Sequence, residues 1–438
     1  MGYAMKAVIS FIIIFLFGSM IFAQDIESFQ NEEGQSFNGG LGMTWIDGKA
    51  FTTFTIAPEF AFGKFGVGLN IELLFDNAGG FKFRKEGWDK GAGILRMIRY
   101  LRWGVKHDPL YIRVGSLQSA TLGHGFIMGY YTNEANYDQR KIGLAFDVDL
   151  ERFGFETVTS NLGRIEVIGG RLYYRPLSTT GIPILKNLET GATYVTDIDP
   201  DNKRSTSDGV SELGVDIGLP IINSSVFNTT LYADYAKILE HGNGTAVGLK
   251  AGIPNVLGML AIYAKLEKRF LSDEFLPNYF NTLYELERNE LISGHYYLQN
   301  ADLPPLLSKA QSLNYMRKTE GIFGELAGHI LGKIRLAGNY QHLNNKKNSG
   351  ILHLEARSLD LIPGVKLFYA YDKVGIETFE DVRTLDYRSV ATAELGYRTY
   401  KFIYIALQYR WNFVFDEKTN RYKPRERFQP KISFSYAF

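Results

Sequence analysis

Residues 401–415, KFIYIALQYRWNFVF, alternate without a break. Ile403, Ile405, Leu407, Tyr409, Trp411, Phe413 and Phe415 take one side; Ala406, Gln408, Arg410 and Asn412 take the other. Successive side chains of a strand point to opposite faces, so this run is a strand with one apolar and one polar face. Strands of water-soluble sheets have a typical length of about 5–6 residues, less than half of this run. The pattern recurs at 64–76, 141–150, 258–269 and 350–358. In the first of these, Phe65, Val67, Leu69, Ile71, Leu73 and Phe75 oppose Gly66, Gly68, Asn70, Glu72 and Asp76. Repeated segments of about ten residues, apolar outward and polar inward, specify an all-β fold: a transmembrane antiparallel up-and-down β-barrel. The alternation predicts about 20 strands, within a range of 16–20.

The connections keep the rhythm of such a barrel. Short turns near 152, 332 and 400 alternate with long polar ones at 77–92, 119–140, 198–209, 374–388 and 416–427. Short periplasmic turns and long outer loops are the rule for these folds. Pro183, Pro220, Pro254 and Pro363 all fall where the count places periplasmic turns, as a residue lacking an N–H belongs at strand ends. Two regions fit poorly. ILRMIRYLRW, residues 94–103, reads as an amphipathic helix or as a bulged strand, because a regular strand would aim Arg99 at lipid. Residues 270–319 do not alternate, and Asn281 to Ile292 has helical spacing. A loop this long in a compact fold is usually functional.

The two ends of the chain carry address labels. Lys6, an apolar run from Val8 to Phe17 and the small Ala23 make residues 1–23 a secretory signal peptide. A lead-in at 24–38 and one barrel domain at 39–438 follow. No later apolar stretch reaches the roughly 20 residues of a membrane-spanning helix. The last strand, KISFSYAF, puts Ile432, Phe434, Tyr436 and Phe438 on one side and ends on an aromatic ring. This resembles bacterial outer-membrane barrels, porin-like ones included, whose final strand alternates in this way and ends in Phe. The resemblance implies that Tyr436 and Phe438 form an assembly signal read by the barrel assembly machinery, and that outer-membrane lipid surrounds the protein.

Composition removes several alternatives. The 438 residues carry 48 basic and 47 acidic side chains, which gives no electrostatic case for nucleic acid. The absence of cysteine removes disulfides, cysteine zinc sites and thiol nucleophiles. TLGHGFIMG, residues 121–129, has Gly123, Gly125 and Gly129 in the spacing G-x-G-x-x-x-G. A dinucleotide cradle needs G-x-G-x-x-G inside a strand–helix–strand unit, and neither condition holds. The loop is read as a glycine-rich connection, or one that enters the lumen. The seven histidines form only isolated pairs such as His353 with Glu355, too few for zinc, and no G-x-S-x-G elbow occurs. No cofactor is expected, with one exception. Asp197, Asp199, Asp201 and Asp208 occupy positions 1, 3, 5 and 12 of an EF-hand-like loop, a calcium reading that stands beside an ordinary solvated turn.

Inward-facing charge is expected at Glu72, Arg113, Asp147, Asp149, Asp234, Lys265, Arg335, Arg357, Arg398 and Arg410. Acids dominate before residue 240 and bases are commoner after it, which suggests one acidic and one basic wall. These features point to a non-enzymatic, porin-like channel passing small polar solutes through a lumen narrowed by inward-folded loops. A surface receptor or adhesin working through its outer loops is the alternative, and a barrel hydrolase is a third reading.

Overall fold

The computed structural model describes residues 36–437 apart from 47–48, 78–79, 81, 85–96, 135–140, 201–207, 257–258, 289–290, 293–305, 402 and 417–420. Twenty-two strand segments form one antiparallel sheet. They are β1 Ser36–Ile46, β2 Lys49–Phe62, β3 Phe65–Leu69, β4 Ile71–Asp76, β5 Lys82–Phe83, β6 Ile98–Trp103, β7 Leu110–Gly115 and β8 Gly143–Asp149. Next come β9 Phe153–Thr159, β10 Val167–Tyr174, β11 Glu189–Asp197, β12 Val210–Asn223, β13 Asn228–Ile238, β14 Asn243–Val256 and β15 Leu260–Leu271. The two-residue β16 Leu291–Ile292 and β17 Leu306–Leu307 pair only with each other. The wall resumes with β18 Thr319–Ile330, β19 Ile334–Leu343, β20 Gly350–Leu359, β21 Val365–Ile376, β22 Ser389–Tyr400, β23 Ile403–Asp416 and β24 Arg421–Ala437.

Each wall strand pairs with the next, and β1 pairs with β24 from Ser36↔Ala437 to Gly42↔Lys431, so the pairing returns to its start. β3 and β4 flank Asn70 and both pair with β2, while β5 and β6 continue one another beside them. Two of the twenty-two segments are therefore continuations, which leaves twenty wall positions. An even number puts both termini at one end, here termed the inner end. The strand β1 begins inside the stretch 24–38 expected as a lead-in.

Burial follows the alternation. Along β12, Val210, Glu212 and Asp216 are buried while Leu213, Val215 and Ile217 are exposed. The exposed set continues with Leu249, Leu266, Leu326, Leu354, Leu395 and Ile405, an outward apolar surface of the kind that faces hydrocarbon. All backbone polar groups of a membrane-spanning segment must be satisfied, and a ladder of paired strands does so. The four prolines lie toward the inner end, and the two inside strands coincide with register shifts, at Pro220/Ile222 and Ile253/Val256. Each missing N–H is thus absorbed at an irregularity.

Residues 98–103 form a strand, and the helix reading of 94–103 fails there; 94–96 lie outside the described residues. A register shift between Gly68 and Leu69 accompanies it, and Arg99 pairs with Glu59 at 2.9 Å. The bulge lets Arg99 find a carboxylate. The helix expected from Asn281 to Ile292 is one turn, α1 Tyr284–Glu287. The aromatic side chains around it are committed to tertiary packing, which overrides local propensity.

Candidate functional site

Two long connections at the outer end fold into the lumen. The first leaves β7 through Gly115, whose φ of 121° suits glycine. Asn133 stitches its two limbs together: it accepts from the Leu117 N–H at 2.8 Å and donates to the carbonyls of Gly115 (3.2 Å) and Ser160 (3.0 Å). The tip is the glycine-rich TLGHGFIMG, with Gly123 at φ 57° and Gly125 at φ 83°. Leu117, Leu122, Phe126, Ile127, Met128 and Tyr131 are all buried. The tip is held from the wall: Gly123 N–H donates to Glu156 at 2.9 Å, and the Lys265 ammonium donates to the His124 carbonyl at 2.6 Å. The His124 ring lies 4.3 Å from that of Tyr232. Burial, then Lys250, Arg171 and Lys265, push His124 well below its ordinary pKa, so it is neutral.

The second connection, between β15 and β18, packs on the first. Asn278 N–H donates to the Phe126 carbonyl at 2.6 Å, Phe280 N–H to that of Ile127 at 3.2 Å, and Gly129 N–H to the Asn278 side chain at 2.8 Å. Tyr279, Phe280 and Tyr284 form an aromatic cluster with ring centroids 4.8–5.6 Å apart. Beneath it lies a buried ion network. Arg288 donates to Glu166 at 2.7 Å and Asp197 at 2.8 Å, and Lys141 donates to Glu285 at 2.6 Å. Tyr131 also donates to Glu285. Burial works against the charge of Arg288, but Asp197 with Tyr284 and Glu285 hold its pKa above the ordinary value. Burial works against Glu166 as well, and Lys141 with Arg288 hold it below the carboxylate range.

The loops lean on one arc of the wall. Lumen-facing Arg171, Thr193, Glu212, Asp216, Asp234, Lys265, Glu267 and Arg269 are buried beneath or beside them. Across from the loops, Arg335, Asn339, His353, Glu355, Arg357 and Arg410 keep part or much of their surface open. Two cavities occupy this gap. An outer one of about 90 Å³ is lined by Tyr130, Leu276, Tyr279, Gln341, Asp372 and Lys373. A deeper one of about 260 Å³ is lined by Gln118, Thr132, Gly338, Glu355 and Arg357. Tyr130, Thr282, Asn339 and His353 line both, so the two adjoin in one gap between loops and wall, here termed the passage.

Of the ten expected lumen charges, eight divide between the two arcs. Arg113, Asp147, Asp234 and Lys265 are buried on the filled side. Arg113 donates to the Ser116 carbonyl at 2.6 Å, and Lys265 pairs with Glu267 at 2.7 Å. Asp149 lies at the inner end, paired with Arg175 at 2.8 Å. Glu72 is half-buried on the face it shares with Leu74. Arg335, Arg357, Arg398 and Arg410 lie on the open arc; Arg357 pairs with Glu355 at 2.7 Å and Arg398 with Asp360 at 3.1 Å. Separate acidic and basic walls do not form. Charges neutralise one another locally instead, as where Arg171 reaches Asp216 at 2.6 Å and Glu189 at 2.8 Å.

Two of the four carboxylates of the calcium reading have basic partners. Asp197 faces Arg288 at 2.8 Å, and Asp199 pairs with Arg164. Asp201 lies outside the described residues, Asp208 begins the return to β12, and no group of three or more His, Cys, Asp or Glu fit for a metal occurs among the described residues. Tyr436 pairs through its backbone with Phe37, and Phe438 lies outside the described residues. The passage residues Tyr130, Thr282 and Asn339 escaped the sequence reading. For Asn339 the signal was present: it shares the odd-numbered face of β19 with Arg335 and Gln341.

No family model matches the chain, and no curated protein matches it. Among solved structures the chain is similar to CdiB from Acinetobacter baumannii, at 9% identity over 92% of this chain, with a TM-score of 0.30. It spans 60% of the length of CdiB. It is also similar to the Pseudomonas aeruginosa outer membrane protein OpdK, at 10% identity over 93% of this chain and 99% of that one, with a TM-score of 0.33. A third is Pseudomonas aeruginosa OccK2 (OpdF) in complex with glucuronate, at 10% identity, 93% and 98% coverage and a TM-score of 0.32.

Proposed function

We propose that this protein is a passive channel of a bacterial outer membrane, through which small polar solutes diffuse. The observation that carries the reading is the passage itself. Polar side chains of the open arc remain solvent-accessible beside loops that fill the rest of the lumen. A lumen narrowed in this way selects by size and by lining chemistry. The two inward loops set the constriction, and export by the N-terminal signal peptide with assembly through the C-terminal strand delivers the barrel to its membrane.

The test replaces residues 275–312 with a short Gly/Ser linker and measures single-channel conductance in a planar bilayer. Loss of the loop side of the passage raises conductance severalfold. Unchanged conductance in a heat-modifiable, folded barrel removes the constriction role. A native protein that stays sealed and binds a surface ligand through its loops favours the receptor reading.

A further inference from the structure

The charges that line the passage are already spoken for. In the outer chamber, Arg269 donates to Glu267 at 2.7 Å, Lys309 to Glu287 at 3.1 Å and Lys373 to Asp386 at 2.7 Å. In each case the carboxylate lies behind the lining surface. His353 and Asp372, which both face the space, bond each other at 2.7 Å. In the deeper chamber Arg357 bonds Glu355 at 2.7 Å, and Glu134 accepts from the Ser116 hydroxyl and from the Gln118 amide at 3.2 Å. Between these pairs the surface offers neutral groups. Asn281, Thr282 and Asn339 supply amides and a hydroxyl, and Tyr130, Leu276 and Pro277 supply apolar faces.

We infer that this passage selects neutral solutes rich in hydroxyl or amide groups over ions of either sign. The inference rests on the channel reading. A salt-bridged pair presents a dipole, whose field falls off faster than that of a lone charge. An ion entering such a space gives up water and in return meets charges that are already paired, or, for a cation, the Glu134 carboxylate, which already accepts from Ser116 and Gln118. Separating a desolvated pair to serve the ion is costly too, since it strands the pair's other member. A neutral solute with hydroxyls exchanges its water bonds for those of Asn339, Thr282 and His353, and lays its C–H faces against Tyr130 and Leu276.

The experiment uses the full-length protein in planar bilayers and in liposomes. Under a KCl gradient, the potassium-to-chloride permeability ratio stays within about twofold of one. In swelling assays a neutral sugar enters severalfold faster than the sugar acid or the amino sugar of the same size. Each member of an exposed pair then moves the ratio in its own direction: Glu355→Gln toward chloride, Arg357→Gln toward potassium. A native ratio beyond about fivefold in either direction overturns the inference. So does a ratio that neither variant moves. A native protein with no conductance overturns the channel reading instead, which separates the two failures.

Discussion

Arg288 joins the inward loop to the wall, and its removal tests whether the loops are seated by the buried network. The side chain is 4% exposed. It donates to Glu166 at 2.7 Å, to Asp197 at 2.8 Å and to the Asp199 carbonyl at 2.8 Å. In Arg288→Met, Glu166 keeps Lys141, but the fully buried Asp197 keeps only neutral donors, the Tyr284 hydroxyl at 2.8 Å and the Asp199 N–H at 3.0 Å. Removing one partner of a buried pair costs about 3–5 kcal/mol, because the remaining charge stays desolvated. At about 1.4 kcal/mol per factor of ten, the equilibrium for unseating the loop rises by roughly 10²- to 10³-fold. Wall pairing does not pass through Arg288, so the barrel still assembles. Amide exchange followed by mass spectrometry reads the effect: protection of 275–288 drops by that factor while 210–223 is unchanged. The double variant Asp197→Asn with Arg288→Met removes the stranded charge and recovers much of the loss. Native protection of 275–288 in the single variant, or equal loss in the double, refutes the reasoning.

Two further outcomes follow from the same geometry. The pKa of His124 is lowered in the seated tip and ordinary, about 6.5, in a released one. The tip's seating is therefore at full strength above pH 6.5 and weakens as pH falls below it, since the released form takes up the proton first. Exchange protection of 122–130 drops between pH 7 and 5 and flattens in His124→Gln; a native profile unchanged in that variant contradicts the role. At the other end of the chain, deleting Phe438 lowers the yield of heat-modifiable barrel while export continues. Normal assembly after the deletion rules out the terminal aromatic as the signal.

The wall was legible because it obeys a period of two. The alternating runs quoted from the sequence fall mostly within strands, and the four prolines do lie toward the inner end. The interior was less legible, and the reason is register. Whether Asp149 meets Arg175, or Arg171 crosses to Asp216, depends on which residues stand opposite after the strands align. A list of inward charges therefore looked like two walls of opposite sign, whereas many of them meet a partner close by. The loop contacts lie further out of reach. Arg288 and Asp197 are 91 positions apart, and neither belongs to a periodic pattern that could link them. The sequence spacing of Asp197 therefore carried no sign of its arginine partner.

Where the passage runs follows from where the two long connections leave the wall. The first joins the fifth and sixth of the twenty wall positions, β7 and β8; the second joins the thirteenth and fourteenth, β15 and β18. They meet through backbone bonds between 126–129 and 278–280. Two loops rooted eight positions apart that join in the middle form a chord, not a central plug. The smaller arc, β8 to β15, lies behind the chord, and several of its buried inward charges are paired there, as Arg171 with Asp216 and Arg269 with Glu267. On the larger arc, inward side chains such as Arg357 and Arg410 stay exposed. On the proposed channel reading, size selection belongs to the chord, through Tyr130, Leu276 and Thr282, and chemical selection to the facing strands, through Asn339, His353, Glu355 and Arg357. Because the chord is held by backbone bonds and buried ions while the facing residues sit on rigid strands, the two properties are separable: substitutions on β19 and β20 alter which solutes pass without unseating the loops.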